Sequence, residues 1–216
     1  MIRTSTIAAA AVMCAGVWAR GAAQQITAAD SAMWKRADHA RIEGSPTATV
    51  WLVEMSDFQC PFCRRWHEET YPIIKKEYVD TGKIRLAYIN FPLSMHKNSK
   101  AAARAAMCAA GQDKFWAMHD ALFQSQARWE GLANPMPVYD SLATASGADV
   151  RAMHQCLASG IMDKLIDGDS ARAAGVGVRS TPSFTVTGIP QLIEGAQPIA
   201  LFRQALDAAL AAPGKP

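Results

Sequence analysis

The spacing of apolar positions changes several times along the chain, and each change predicts a different element. Ala48 to Met55 is a β-branched and apolar run of strand length, set off by the breaker cluster Gly44-Ser45-Pro46 before it and Ser56-Asp57 after it. Such a run fits a buried strand. From Pro61 to about Asp80 the apolar positions recur at helical spacing and stop at Thr81-Gly82. Lys83 to Phe91, rich in Ile, Leu, Tyr and Phe and closed by Pro92, reads as a second strand. An earlier helix is expected over Ala28 to Arg36, followed by an approach segment to residue 46. Between Lys97 and Ala174 the pattern is helical throughout, in five stretches: Lys97 to Ala110, Asp113 to Gln126, Val138 to Ser146, Asp149 to Ser159 and Ile161 to Ala173, separated by Gly, Pro and Asn. Strand character returns at Ser183 to Thr187. A turn at Gly188-Ile189-Pro190, a short strand at Gln191 to Glu194 and a helix from Pro198 to Ala211 follow.

This order predicts an α/β fold in which a β-α-β opening and a β-β-α ending share one mixed sheet, with helices on its faces and a helical insertion between the halves. The expected division is a signal peptide over 1–23, an N-terminal segment and the first part of the sheet domain over 24–96, the insertion over 97–174 and the second part of the domain over 175–216. The signal peptide is read from Arg3, the short apolar run Ile7 to Val17 and the small residues Gly21-Ala22-Ala23. Arg20 interrupts a stretch already too short to span a bilayer. An exported, periplasmic protein is therefore expected.

Composition narrows the function classes. The 216 residues are 50% hydrophobic, which excludes disorder, and the formal charge of +3 comes from interspersed signs without a basic stripe, so no nucleic-acid partner is expected. Loss of the leader removes Arg3 and Arg20 and no acid, leaving a nearly neutral chain. It also removes Cys14, so that Cys60, Cys63, Cys108 and Cys156 remain, an even number in a compartment where disulfides persist.

Cys60-Pro61-Phe62-Cys63 stands where the first strand gives way to a helix. Two cysteines at this spacing share a helix face and can open or close a disulfide with little movement. The unpaired N–H groups and the positive end of the helix dipole favour the Cys60 thiolate, and Pro61 suits the first helical position because it has no N–H to lose. Cys60 is then the exposed nucleophile that forms a mixed disulfide with a client, and Cys63 the resolving thiol. A zinc site would show the same pair, but Cys108 and Cys156 are isolated and no paired histidine motif is present, so no metal is expected. Trp116, His119, Leu122 and Phe123 recur at helical spacing and are assigned to packing. Cys108 and Cys156, on two helices of the insertion, are expected to form a structural disulfide contributing roughly 3 to 4 kcal/mol, the alternative being a pair of buried free thiols.

Val53-Glu54-Met55-Ser56-Asp57-Phe58-Gln59-Cys60-Pro61-Phe62-Cys63 resembles the active-site strand and helix start of DsbA-like disulfide oxidoreductases, the thioredoxin-like-4 branch. Ser180-Thr181-Pro182-Ser183-Phe184 resembles the loop where that family places a cis-proline opposite the disulfide. With the helical block between the two motifs, the resemblance covers nearly the whole chain after the leader. It implies a thioredoxin fold interrupted by a helical insertion. It also implies that Pro182 is the cis-proline and keeps the Thr181 backbone free to pair with an extended client. Glu54 would be the buried acid that exchanges a proton with Cys63, since a carboxyl in apolar surroundings has a raised pKa. Phe62 replaces the histidine of the family's strongest oxidants, so Cys60 leans on the helix terminus and a milder potential is expected.

The resemblance further implies a dithiol oxidase without bound cofactor. It would act as a monomer on unfolded or reduced exported proteins and be reoxidised by a quinone-linked membrane thiol oxidase. The alternatives are a reductase or isomerase of the same compartment, or a client-binding chaperone module whose cysteine pair is not catalytic.

Overall fold

A computed structural model describes residues 27–212; the signal-peptide expectation lies outside the described residues. The apolar run becomes the central strand β2 (Val50–Ser56) of a five-stranded sheet. Its neighbours are β3 (Ile84–Asn90), parallel to it and in register from Val50↔Ile84 to Ser56↔Asn90, and β4 (Ser183–Val186), antiparallel with Glu54 opposite Phe184. The edges are β5 (Ile189–Glu194), antiparallel to β4, and β1 (Ile42–Gly44), antiparallel to β3, so the strand order is β1-β3-β2-β4-β5. Parallel pairing of β2 with β3 needs a crossover, and the helices after the cysteine pair supply it.

Alternation along β2 sorts the layers. Val50 and Leu52 face a cluster with Trp66, Tyr71, Ile74, Phe184, Phe202 and Leu206. This side is covered by α2 (Pro61–Glu69), α3 (Tyr71–Ile74) and α10 (Ile199–Ala211). Met55 faces the other side with Ala173 and Val178. Full burial of a side chain such as Leu52 or Phe184 contributes about 1.5 to 3 kcal/mol each. The helical block consists of α4 (Ser99–Ala110), α5 (Phe115–Gln124), α6 (Gln126–Trp129), α7 (Met136–Ala145), α8 (Val150–Ser159) and α9 (Asp163–Gly175). With α1 (Ala28–Ala40), it builds a second core that includes Phe58, Cys60, Cys63 and Tyr88. α9 serves both units: Leu165 and Ile166 lie in the helical core, whereas Ala173 packs on the sheet.

Several elements differ from expectation. β1 was read as approach segment, since three residues carry no measurable periodicity. The helix expected from Pro61 to Asp80 breaks at Thr70 and resumes as α3 and a π-helical turn, Lys75–Val79. Pro72 explains the break, because it lacks the N–H that an uninterrupted helix would require. Pro190 lies within β5 and not in the turn, which an edge strand tolerates because its N–H would otherwise face away from the sheet.

Cys108 on α4 and Cys156 on α8 are joined as a disulfide with Cα atoms 5.7 Å apart across 48 positions, and both are buried. Replacing both by alanine should lower the unfolding free energy by about 3 to 4 kcal/mol and raise the denaturant slope, because the unfolded chain without its cross-link is less compact, as measured by urea titration. A change below 1 kcal/mol would show that the bridge leaves stability nearly unaffected.

Candidate active site

The site begins where β2 ends. Asp57, fully buried in the turn, accepts hydrogen bonds from the backbone N–H of Gln59 at 2.8 Å and of Leu93 at 2.9 Å, and from the Ser99 hydroxyl; its Oδ2 lies 2.7 Å from His96 Nδ1. One carboxylate thereby ties the cysteine turn to the loop after β3 and to the start of α4. The Cys60 N–H closes the turn on the Asp57 carbonyl at 3.0 Å. Cys60 is the N-cap of α2, with extended φ and ψ, and Pro61 occupies the first turn. The inner stripe of α2 is Cys63, Trp66 and His67, at the i, i+3, i+4 spacing of one helix face.

The helical block grips the same turn from the other side. Gln126 Nε2 donates to the carbonyls of Phe58 at 2.7 Å and Cys60 at 3.1 Å. Gln59 Nε2 donates to the Glu130 carbonyl at 2.9 Å, and Gln59 Oε1 accepts from the Asn98 N–H at 2.6 Å. Asn98 in turn donates to the carbonyls of Trp129, Glu130 and Leu132. Sequence reasoning missed Asp57, Gln59, Asn98 and Gln126 as site-building residues. The polar pair Asp57 and Gln59 flanking Phe58 was a usable signal; Gln126, a lone amide in a helical stretch, was not.

Thr181-Pro182 is a cis peptide bond, and the Cys60 thiol reaches the Thr181 carbonyl at 3.3 Å. Cys60 was expected as an exposed sulfur, but only 3% of the residue is exposed, because the cis-proline loop covers it. Phe62, the neighbour of Pro61, is 53% exposed, with the Arg65 guanidinium 5.2 Å from its ring centroid. Cys60 and Cys63 are both free thiols.

Their electrostatics are opposite. Cys60 is brought down to about 6, first by the hydrogen bond from the Cys63 thiol, against the opposing effect of burial, and further by the Thr181 side chain and the N–H groups of Cys63 and Phe62 at the helix start. Cys63 is pushed well above the usual thiol value, first by burial and then by its bond to Cys60 and the charge there. Glu54, facing the same side of β2 as Leu52, is 1% exposed with neither carboxylate oxygen hydrogen-bonded, and burial raises it to about 8.

Below α2, one Asp120 oxygen lies 3.0 Å from His67 Nε2 and 2.8 Å from His119 Nδ1. These are the three residues among those described whose ligand atoms converge closely enough for a metal ion. His119 is brought down to about 4, chiefly by burial, and is neutral near pH 7. Its ring lies edge-on to Phe58, Tyr88 and Phe123, at centroid distances of 5.8, 5.3 and 5.0 Å. Both facing ring nitrogens are engaged by the carboxylate at hydrogen-bond length, which suits a histidine-orienting aspartate buried among aromatic rings.

The arrangement can therefore hold one sulfur as an anion and the other as a thiol, with a protonated acid on the neighbouring strand that shares Ser56 as a neighbour with Cys63. Comparison with known proteins agrees with this chemistry. A family model described as Thioredoxin matches residues 36–208. The probable disulfide bond formation protein D of Bacillus anthracis is 34% identical over 148 residues, covering 67% of this chain and 68% of that protein. The crystal structure of oxidised BdbD from Bacillus subtilis superposes with a TM-score of 0.71 at 22% identity, covering 79% of this chain and 92% of the other. A thioredoxin-like oxidoreductase from Silicibacter pomeroyi superposes at 0.65 with 28% identity, covering 80% and 92%. With the CxxC pair at a helix start, the interrupted thioredoxin fold and these relatives, the chain belongs to the thioredoxin family and is a DsbA-like protein thiol–disulfide oxidoreductase.

Proposed function

We propose that the protein works as a dithiol oxidase on reduced, exported client proteins in the periplasm, with Cys60 as the exchanging sulfur and Cys63 as its partner. The observation that carries this reading is the opposite displacement of the two thiols, Cys60 down and Cys63 up. In the disulfide form a client thiolate attacks Cys60 Sγ, and Cys63 leaves and takes a proton from Glu54, which is neutral below pH 8. The second client thiolate then attacks the client sulfur of the mixed disulfide, and Cys60 leaves as a stabilised thiolate. A quinone-linked membrane thiol oxidase would return the pair to the disulfide, with the protein acting as a monomer.

The cis Thr181-Pro182 bond and the approach of the Thr181 carbonyl to Cys60 support pairing of the Thr181 backbone with an extended client there. Of the six exposed large apolar side chains among the described residues, Phe62 lies in the cysteine turn, Met95 and Leu132 lie on segments hydrogen-bonded to it or to its neighbour Asn98, and Val176 precedes the cis-proline loop. Exposed apolar side chains near the cysteine pair suit the apolar segments that an unfolded client presents. Among the described residues, no helix is long and apolar enough to cross a membrane.

Alkylation of the reduced protein by iodoacetamide, followed by mass mapping across pH, tests the reading. Cys60 labelling should titrate with a midpoint near pH 6 while Cys63 stays unlabelled to pH 9. A Cys60 midpoint near 9 overturns it. Equilibration with glutathione separates the oxidase from a reductase, whose potential would approach that of thioredoxin.

A further inference from the structure

Ser56 closes β2 with its side chain enclosed and unpartnered. Strand alternation puts it on the same face as Glu54, and the parallel ladder sets Tyr88 opposite Glu54. Above this face α2 holds Cys63. The Ser56 hydroxyl consequently adjoins three proton-bearing groups at once: the Glu54 carboxyl, the Cys63 thiol and the Tyr88 phenol. Neither the Glu54 oxygens, nor Ser56 Oγ, nor the Tyr88 hydroxyl is hydrogen-bonded to any other group, although all are buried. Buried polar atoms are nearly always paired, so four unpaired ones gathered around one strand end call for an explanation, and proton transfer supplies one. The titratable groups around the hydroxyl are Glu54 on its own strand, Tyr88 on β3 and Cys63 on α2; Asp57 in the next turn and Cys60 at the N-cap act through their charge on Tyr88 and Cys63.

We propose that Ser56 is a proton-handling residue of the exchange reaction, passing the proton between Glu54 and Cys63 Sγ. The proposal rests on the reading of Glu54 as the proton donor. When a client thiolate attacks Cys60 Sγ, a sulfur–sulfur bond forms to the client, the Cys60–Cys63 bond breaks, and the electron pair goes to Cys63 Sγ. The Ser56 hydroxyl gives its proton to that thiolate while its oxygen takes the proton of the Glu54 carboxyl. The serine is unchanged and the negative charge rests on Glu54. A hydroxyl can do this because it donates one hydrogen bond and accepts two, whereas the carboxyl alone must reach the sulfur directly. The Tyr88 phenol, held neutral by burial, donates toward the charge without giving up its proton.

The test is the stopped-flow reduction of the disulfide-form protein by dithiothreitol between pH 6 and 10, with rates expressed per dithiothreitol thiolate. The wild-type rate should be level and fall above pH 8. In S56A it should drop on the order of a hundredfold below pH 8 and lose the inflection, the lower end of what is expected when acid catalysis is withdrawn. S56T should restore both. E54Q, with Ser56 intact, should lose the inflection as well. If E54Q loses it and S56A keeps the wild-type rate and profile, the serine inference falls and the Glu54 reading stands. If E54Q itself keeps it, the Glu54 reading falls and takes the inference with it. A slower S56A with an unshifted inflection would also overturn the inference, since it would show a packing role. The wild type in mixed H2O and D2O supplies a check without substitution: two protons moving together give a curved dependence on deuterium fraction, and a linear one overturns the relay.

Discussion

Cys60→Ser is expected to lower disulfide transfer to a reduced client by on the order of a thousandfold or more, the scale on which loss of a covalent nucleophile acts. Cys63→Ser, exposed to a disulfide-bearing client, should instead accumulate a mixed disulfide through Cys60, visible by non-reducing electrophoresis and reversed by dithiothreitol. The two outcomes differ because the sulfurs differ. At pH 7 a thiol ionising near 6 is roughly nine-tenths thiolate, against about one part in a hundred for a thiol at its usual value. Nucleophilicity falls as pKa falls, with a slope of about 0.4 to 0.5, so three units cost the attacking sulfur roughly twentyfold and leave only a few-fold gain. The larger benefit of the low Cys60 pKa is therefore in leaving: the mixed disulfide breaks toward a stable Cys60 thiolate and an oxidised client. Retention of client-protecting activity by Cys60→Ser, measured by suppression of aggregation, would favour a chaperone module over an oxidase.

The central strand, the cysteine turn and the returning β-β-α segment were legible because each is a local pattern: an apolar run, a helix start with Pro61, and a breaker before an apolar stretch. The interrupted sheet followed from their order. What was hidden depends on contacts between distant positions. Nothing local marks Gln126 as the donor to the Cys60 carbonyl, 66 positions away, or Asn98 as the clamp on the Leu132 carbonyl. The burial of Cys60 comes from the Thr181 loop, 121 positions on. Ser56 looked like the polar end of a strand because its neighbours Cys63 and Tyr88 arrive from a helix and a second strand. Arg41 is a similar case: it pairs with the wholly buried Asp169 on α9, which also binds Asn90 at 2.9 Å, and nothing in the approach segment announces the partner.

Glu54→Gln should make the protein more stable near neutral pH, by a margin that depends on pH in a defined direction. In the folded protein Glu54 holds its proton up to about pH 8, because its carboxylate would be unsolvated and unpaired; in the unfolded chain it ionises near 4.5. Between those values the folded state binds more protons than the unfolded one, so wild-type stability falls as pH rises through that window. Below pH 4 both states are protonated and the contribution vanishes. At pH 7 the mismatch of two and a half units corresponds to about 3 kcal/mol, at roughly 1.4 kcal/mol per unit. Glutamine keeps shape and polarity but does not titrate, so its advantage over wild type should grow by about 3 kcal/mol from pH 4 to pH 7 and level off above pH 8. Denaturant titrations of both proteins in the disulfide form, which leave Cys108–Cys156 intact, measure this directly. Parallel pH profiles would show that Glu54 is solvated or paired, and the proton-donor role would fall with its raised pKa. A domain has only about 5 to 15 kcal/mol of net stability, so a buried acid at such a cost, two residues from the Ser56 that neighbours Cys63, is explained by catalysis and not by folding.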